Sequence, residues 1–248
     1  MTVNNIFDFL DSLYPVSLAL DFDNVGILVG NKNGTVKNCL VALDCTENVI
    51  KAAIESKCEL IITHHPVIFN PIKDLTDGSI PFMLVNNGIS VISMHTNLDQ
   101  ANGGVNDCLC KAIGLKNTDK ITSKDGFLLR SGNIKKTTAD GFAKQINLCL
   151  GGCVKYLDAG KPIEKVLVCS GSGGEFLEDA ILGGFDALIT ADVKHHEFLS
   201  AEHHGISVFD AGHFNTEDVV VKELVKVLSE KFVDIKFTEY HTSNIKYV

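Results

Sequence analysis

The feature that most constrains this fold is a repeat. Residues 58–66, "CELIITHHP", read against 185–193, "FDALITADV". Residues 88–99, "GISVISMHTNLD", read against 205–217, "GISVFDAGHFNTE". In each pair an apolar run of strand length ends in residues suited to chemistry. The order of elements around them recurs as well. "NCLVAL" reads as a strand, "TENVIKAAIESK" as a helix with Thr46 as its N-cap, and "CELIIT" and "GISVISM" as strands. After Lys165 the series returns as the strand "KVLVCS", the helix "GEFLEDAILGG" and the strands "DALIT" and "GISVFDA". Buried apolar strands alternating with helices indicate an α/β fold with mixed, largely parallel sheets around a pseudo-repeated core.

The repeat sets the expected organisation. The chain of 248 residues is read as one unit, 1–248, whose α/β core is made of two related halves, 1–100 and 166–248. The segment 101–165 differs from both. It carries Gly103, Gly104, Gly151 and Gly152 and one helix with a glycine stop, "TTADGFAKQINLCLGG", and is read as a smaller inserted lobe. At the C-terminus, "TEDVVVKELVKVLSEKF" places Val219, Val220, Leu224, Val227 and Leu228 on one helical face, with Thr216 as candidate N-cap, before a final strand "VDIKFTEY".

Composition excludes several classes. The formal net charge is -9 and no basic stripe exists, which argues against nucleic acid and anionic membranes as partners. No segment approaches the roughly 18 apolar residues of a membrane span. The opening "MTVNNIFDFLDSLYP" has neither the basic start nor the apolar run of a signal peptide. The eight cysteines, Cys39, Cys45, Cys58, Cys108, Cys110, Cys149, Cys153 and Cys169, form no CxxC pair and read as reduced thiols, most of them core residues. The expectation is a cytoplasmic protein.

Ligands of α/β sheets sit at the C-terminal ends of the strands. Three such ends here carry metal-type donors: His64 and His65, then His95 and Asp99, then His213 and Glu217. Neighbouring residues of a strand point to opposite sides, so the turn before Pro66 must redirect one of the two adjacent imidazoles if both serve one cavity. Two neighbouring histidines suit two ions better than one, and Asp99 or Glu217 could bridge a pair. The expected arrangement has equivalent strand ends of both halves facing one site. Imidazole plus carboxylate without thiolate suits Zn, Fe, Mn, Co or Ni. Open positions in such a site acidify water and polarise a phosphate or carbonyl of a small-molecule substrate.

Further residues remain open to two readings. His95 is a ligand or a residue behind the ligands that touches substrate. Asp192 caps a helix or faces the metal pocket, and His195 and His196 line the cavity or face solvent. His203 and His204 read as cations at a helix C-terminus, and His241 as a surface residue. "CSGSGG" (169–174) is a tight strand-to-helix turn or a phosphate cradle. Lys194 and Arg130 are the other candidate phosphate contacts.

"DNVGILVGN", "ELIITHHPVIF", "SMHTNLDQANGGVND", "SGSGG", "TADVKHHE" and "GHFNTE" together resemble the Nif-three-like dinuclear metal-centre family. Many of its members carry the description GTP cyclohydrolase 1 type 2 homolog, and the resemblance covers nearly the whole chain. It implies two divalent ions per chain held by His64, His65, Asp99, His213 and Glu217, with His95 behind them. It also implies two interlinked α/β lobes and a homohexameric ring, a trimer of dimers. The implied chemistry is hydrolytic opening of the guanine imidazole ring of GTP, or action on a related nucleotide or cyclic amide. A non-catalytic metal-binding or regulatory ring that works through protein partners is the alternative. Two departures from the family pattern stand out. Phe22 replaces a common Trp, and "GFLLRSG" shifts the glycines around Arg130.

Overall fold

The computed structural model describes residues 1–243 and 245. The chain forms two compact units, one built from residues 1–102 and 221–242 and the other from residues 103–220.

The first unit opens with α1 (Val3–Leu13). Val3, Ile6 and Leu10, at helical spacing, are buried, and Thr2 closes a capping box with Asn5. Next come β1 (Gly26–Val29), β2 (Asn38–Ala42), α2 (Glu47–Glu55), β3 (Leu60–Thr63), α3 (Ile80–Asn86), β4 (Ser90–Ser93) and α4 (Thr96–Gln100). Thr46 caps α2 as its sequence predicts, accepting from the Val49 amide. β2, β3 and β4 are apolar and β-branched along most of their length, and nearly every residue in them is buried, as parallel strands covered on both faces require.

The second unit contains α5 (Val105–Ala112), β5 (Lys116–Thr122), β6 (Leu128–Thr137), α6 (Ala139–Leu150), β7 (Lys155–Leu157), β8 (Ile163–Ser172), α7 (Leu177–Leu182), β9 (Ala187–Ala191), α8 (His195–His204), β10 (Ser207–Asp210) and α9 (His213–Glu217). The chain then runs through α10 (Val219–Lys231) to β11 (Lys236–Tyr240), the last strand of the first unit.

Both sheets are mixed. The first has the order β1-β4-β3-β2-β11, with every pair parallel except β1–β4. The second has the order β5-β6-β8-β9-β10-β7, and only β8–β9 and β9–β10 are parallel. The repeat seen in the sequence is therefore three adjacent parallel strands, β2-β3-β4 in one unit and β8-β9-β10 in the other. In both, an antiparallel strand flanks the third member.

Three expectations change. Residues 101–165 do not stand apart as a lobe, because β5, β6 and β7 hydrogen-bond into the sheet of β8–β10. α6 also buries Phe142 and Ile146 in that sheet's core with Val166, Ile189 and Phe209. The C-terminal strand, in turn, does not belong with 166–220. β11 pairs in parallel with β2, Lys236 to Tyr240 against Asn38 to Ala42. Thr216 does not cap α10. It is buried inside α9, where its hydroxyl donates to the His213 carbonyl and accepts from the Gly171 amide.

Candidate metal centre

In the first unit, three adjacent parallel strands deliver their C-terminal ends to one edge. Asp44 follows β2, His64 and His65 follow β3, and His95 follows β4. The strand β3 stops at Thr63. Both following amides, of His64 and His65, then donate to the Leu43 carbonyl at 3.1 and 3.0 Å. That shared acceptor ends the alternation of an extended strand and lets both imidazoles lie on one side. Their ring centres are 5.0 Å apart, and the His95 ring stands 5.1 and 5.6 Å from them. One ligand atom each of His64, His65 and His95 lies within 4.8 Å of the others.

Each ring is held through Nδ1. His64 Nδ1 is 2.9 Å from the Met94 carbonyl, His65 Nδ1 is 2.6 Å from Asp44 Oδ1, and His95 Nδ1 is 2.9 Å from Asp23 Oδ1. Carbonyl and carboxylate oxygens only accept, so Nδ1 carries the hydrogen and Nε2 carries the lone pair in the neutral ring. This is how imidazoles are oriented towards metals. His64 Nε2 lies 3.6 Å from Asp99 Oδ1, and both side chains are nearly excluded from solvent. Burial drives the Asp23 carboxyl upward, yet hydrogen bonds from His95 and Thr96 outweigh it and hold the group at about 2. An ionised Asp23 thus backs His95.

The second unit repeats this plan with other residues. Asp192 follows β9 and His213 opens α9 after β10. His213 Nδ1 is 2.6 Å from Asp192 Oδ2, and its Nε2 is 3.0 Å from Glu217 Oε2. The hydrogen bond to Glu217 is the largest influence on this imidazole. Burial opposes it and Asp192 reinforces it, with the result raised to about 9. Glu217 is buried against the end of β8. A Cβ at Gly171 would meet the Glu217 carboxylate and force it to shift, and Gly171 has φ +59, a conformation that favours glycine.

The donor chemistry fits a divalent metal. Imidazole nitrogens with their tautomer fixed and buried carboxylates are present in both units. Burial pushes the Cys45 and Cys110 thiols up to about 12 and Cys58 to about 11, which makes these three poor thiolate donors. Borderline ions such as Zn, Fe, Mn, Co or Ni suit such donors.

The open readings now divide. Asp192 orients His213 and caps nothing, since Lys194 occupies the N-cap of α8. His195 and His196 are exposed on the first turn of α8. His203 and His204 end α8, where His204 Nδ1 donates to the Ser200 carbonyl. Residues 169–172 stay within β8, past an irregularity in its pairing with β9, and Asn106 and Thr216 take up the amides of Ser170 and Gly171; a short 3-10 helix, Gly174–Phe176, follows Gly173. Arg130 is buried and bidentate to Asp107 at 2.5 and 3.1 Å, so it is a structural cation. Lys194 stays exposed beside Glu197. Sequence reasoning overlooked Asp44 and gave Asp23 no role. The available signals were the position of Asp44 just after β2 and the place of Asp23 at the head of "DNVG".

The sequence profile of the Duf34/NIF3 family (NGG1p interacting factor 3) matches residues 1–245. The chain belongs to this family. A Clostridium perfringens member named GTP cyclohydrolase 1 type 2 homolog is 34% identical over 251 residues, covering 96% of this chain and 95% of that protein. A Campylobacter jejuni member of the same name is 36% identical over 236 residues, 92% of each chain. The crystal structure of a Staphylococcus aureus hypothetical protein superposes with a TM-score of 0.93 at 28% identity, covering 100% of this chain and 99% of that one. The Duf34/NIF3 fold is thus shared over the full length. No helix among the described residues is long and apolar enough to cross a membrane.

Proposed function

We propose that this protein is a metal-dependent hydrolase of GTP or a related nucleotide or cyclic amide, holding two divalent ions per chain. His64, His65 and Asp99 in the first unit and His213 and Glu217 in the second are the proposed ligands. The observation that carries the reading is the set of Nδ1 bonds, from His64 to Met94, His65 to Asp44 and His213 to Asp192. The bonds at His64 and His65 fix the tautomer that turns Nε2 towards a metal, and at His213 a metal would take the place of the proton shared with Glu217. The names of the relatives support the nucleotide substrate.

A bound divalent ion supplies Lewis acidity towards a carbonyl or phosphoryl group and makes water a better nucleophile near neutral pH. The chain's own part is orientation and proton handling. Asp44 and Asp192 keep two imidazoles turned. Asp23 holds the His95 Nδ1 hydrogen, which leaves His95 Nε2 able to take a proton or to contact substrate. His95 is therefore proposed to work behind the ligands. A cytoplasmic location and a homohexamer belong to the same reading, and light scattering that returned a monomer at micromolar concentration would remove the hexamer.

The test is direct. Metal-reconstituted protein is incubated with GTP and a nucleotide panel, and products are read by mass spectrometry. Ring-opened product that is lost in His64→Ala supports the reading. Full metal occupancy with no product from any substrate overturns the hydrolase and leaves the non-catalytic ring.

A further inference from the structure

The first unit carries two exposed aromatic side chains beside its histidines. Phe22 is 64% and Phe69 46% exposed, whereas most large apolar side chains of this unit are buried. Their ring centres are 6.2 Å apart with planes tilted by 57°. Phe69 in turn meets the His95 ring edge-on, at 6.2 Å and 85°. A chain of rings therefore runs from solvent to the imidazole cluster.

The backbone beneath this chain is tied down. Asn24 Nδ2 donates to the Ile68 carbonyl at 2.5 Å, joining the segment after Phe22 to the one before Phe69. The Leu20 amide donates to Thr96 Oγ1, and Asp23 holds both Thr96 and His95. The two phenyl rings are thus presented at a set distance from His95 and do not trail from loose loops. Keeping two phenyl groups in water on anchored backbone forgoes hydrophobic stabilisation, which makes sense when a partner covers them.

We propose that Phe22 and Phe69 form a stacking corner that binds the planar heteroaromatic ring of the substrate and presents it to His95 and the neighbouring donors. Two rings tilted at 57° suit a flat ligand that stacks on one face and meets the other ring edge-on, the two favoured aromatic geometries. Base stacking on an exposed aromatic tolerates different bases, so the corner selects flatness more than a hydrogen-bond pattern. The inference rests on the reading of the histidines as a substrate-processing centre. It adds to that reading two residues that hold the flat ring of such a substrate.

The experiment uses full-length, metal-free protein, so that binding is scored apart from metal and catalysis. Ligand-observed NMR titrations are run with guanosine, adenosine and neopterin, and with ribose 5-phosphate as the ring-free control. The expected result is binding of at least one flat probe, weakened about five-fold or more in Phe22→Ala and in Phe69→Ala and retained in Phe22→Trp. Ribose 5-phosphate should show no dependence on either residue. The proposal is overturned if no flat probe binds or if both alanine variants bind like the wild type. It is also overturned if the alanine variants lower the oligomeric mass in light scattering, which would assign the rings, together with exposed Ile72 and Leu75, to an interface between copies. Elemental analysis of the same proteins keeps the two ideas apart. Wild-type protein that takes up no metal sinks the metal reading while the stacking result still stands.

Discussion

The two units solve one problem on the same scaffold with different charges. Each ends a parallel strand, makes a short turn, and starts a helix of five residues that carries a histidine and a carboxylate four positions apart. In the first unit His95 is the N-cap of α4, and in the second His213 is the first residue of α9, so the pair has slid by one position. The surroundings differ more. His64 is oriented by a neutral carbonyl and has Asp99 3.6 Å from its other nitrogen, whereas both nitrogens of His213 lie close to carboxylates, at 2.6 and 3.0 Å. A carbonyl fixes a tautomer without adding charge, while two carboxylates also recruit a proton. The lesson is that backbone geometry places an imidazole, and carboxylates close to both of its nitrogens, as at His213, raise its hold on a proton.

The largest effect expected from breaking this comparison is at Glu217. Glu217→Ala should remove most of the metal from a chain that otherwise takes about two ions, and elemental analysis would read it. Full occupancy in that variant would show that the second unit contributes no essential carboxylate.

Gly171→Ala comes next. The added methyl collides with Glu217 in a backbone conformation that disfavours alanine. We expect destabilisation by about 2 kcal/mol in denaturant titrations together with reduced metal content.

The pH response should separate the units. The His213 imidazole is raised from 6.5 to about 9 in the metal-free chain. Its protonated contacts thus stabilise the fold fully below 6.5, and that contribution fades as pH rises through about 9. Metal must displace this proton, so affinity should climb with pH up to about 9 and then level. Calorimetry in two buffers of different ionisation enthalpy would register proton release on loading near neutral pH. His213→Gln should abolish that release, and an unchanged value would move the proton elsewhere.

Smaller changes should follow from the carboxylates that hold Nδ1. Asp44→Asn and Asp192→Asn should each weaken metal binding by roughly 10–100-fold. Only Asp192→Asn should also lower the pH at which loading releases its proton, because it removes one of the charges acting on His213. Equal pH behaviour in the two variants would erase the distinction between the units. The least effect is expected at the thiols: alkylation of the exposed Cys149 and Cys153 should leave metal content unchanged.

Much of this arrangement was legible in the chain. The alternation "NCLVAL", "CELIIT", "GISVISM" and its return after Lys165 correspond to β2-β3-β4 and β8-β9-β10, because strands buried on both faces leave an uninterrupted apolar signature. The candidate donors stand out in the sequence because each follows such a run. What was not legible is long-range. Pairing of β11 with β2 joins residues about 200 positions apart, and no local pattern encodes it. For the same reason Asp44 and Asp23 went unassigned: an aspartate after a strand is ordinary until a histidine from another strand meets it. Arg130 looked available because sequence shows a charge and not its partner, Asp107.

One consequence of the Met94–His64 bond concerns the speed of loading. That bond joins the end of β3 to the end of β4, inside strands held by the sheet, so the imidazole is already aimed before any ion arrives. Loading of the first unit then requires no ordering of the chain, and the empty and filled forms should share one backbone. Metal exchange becomes a matter of breaking coordinate bonds and displacing protons, with no slow conformational gate. A chelator should strip the ions and leave the amide-exchange protection of β3 and β4 in place, unlike small domains in which the metal itself folds the chain.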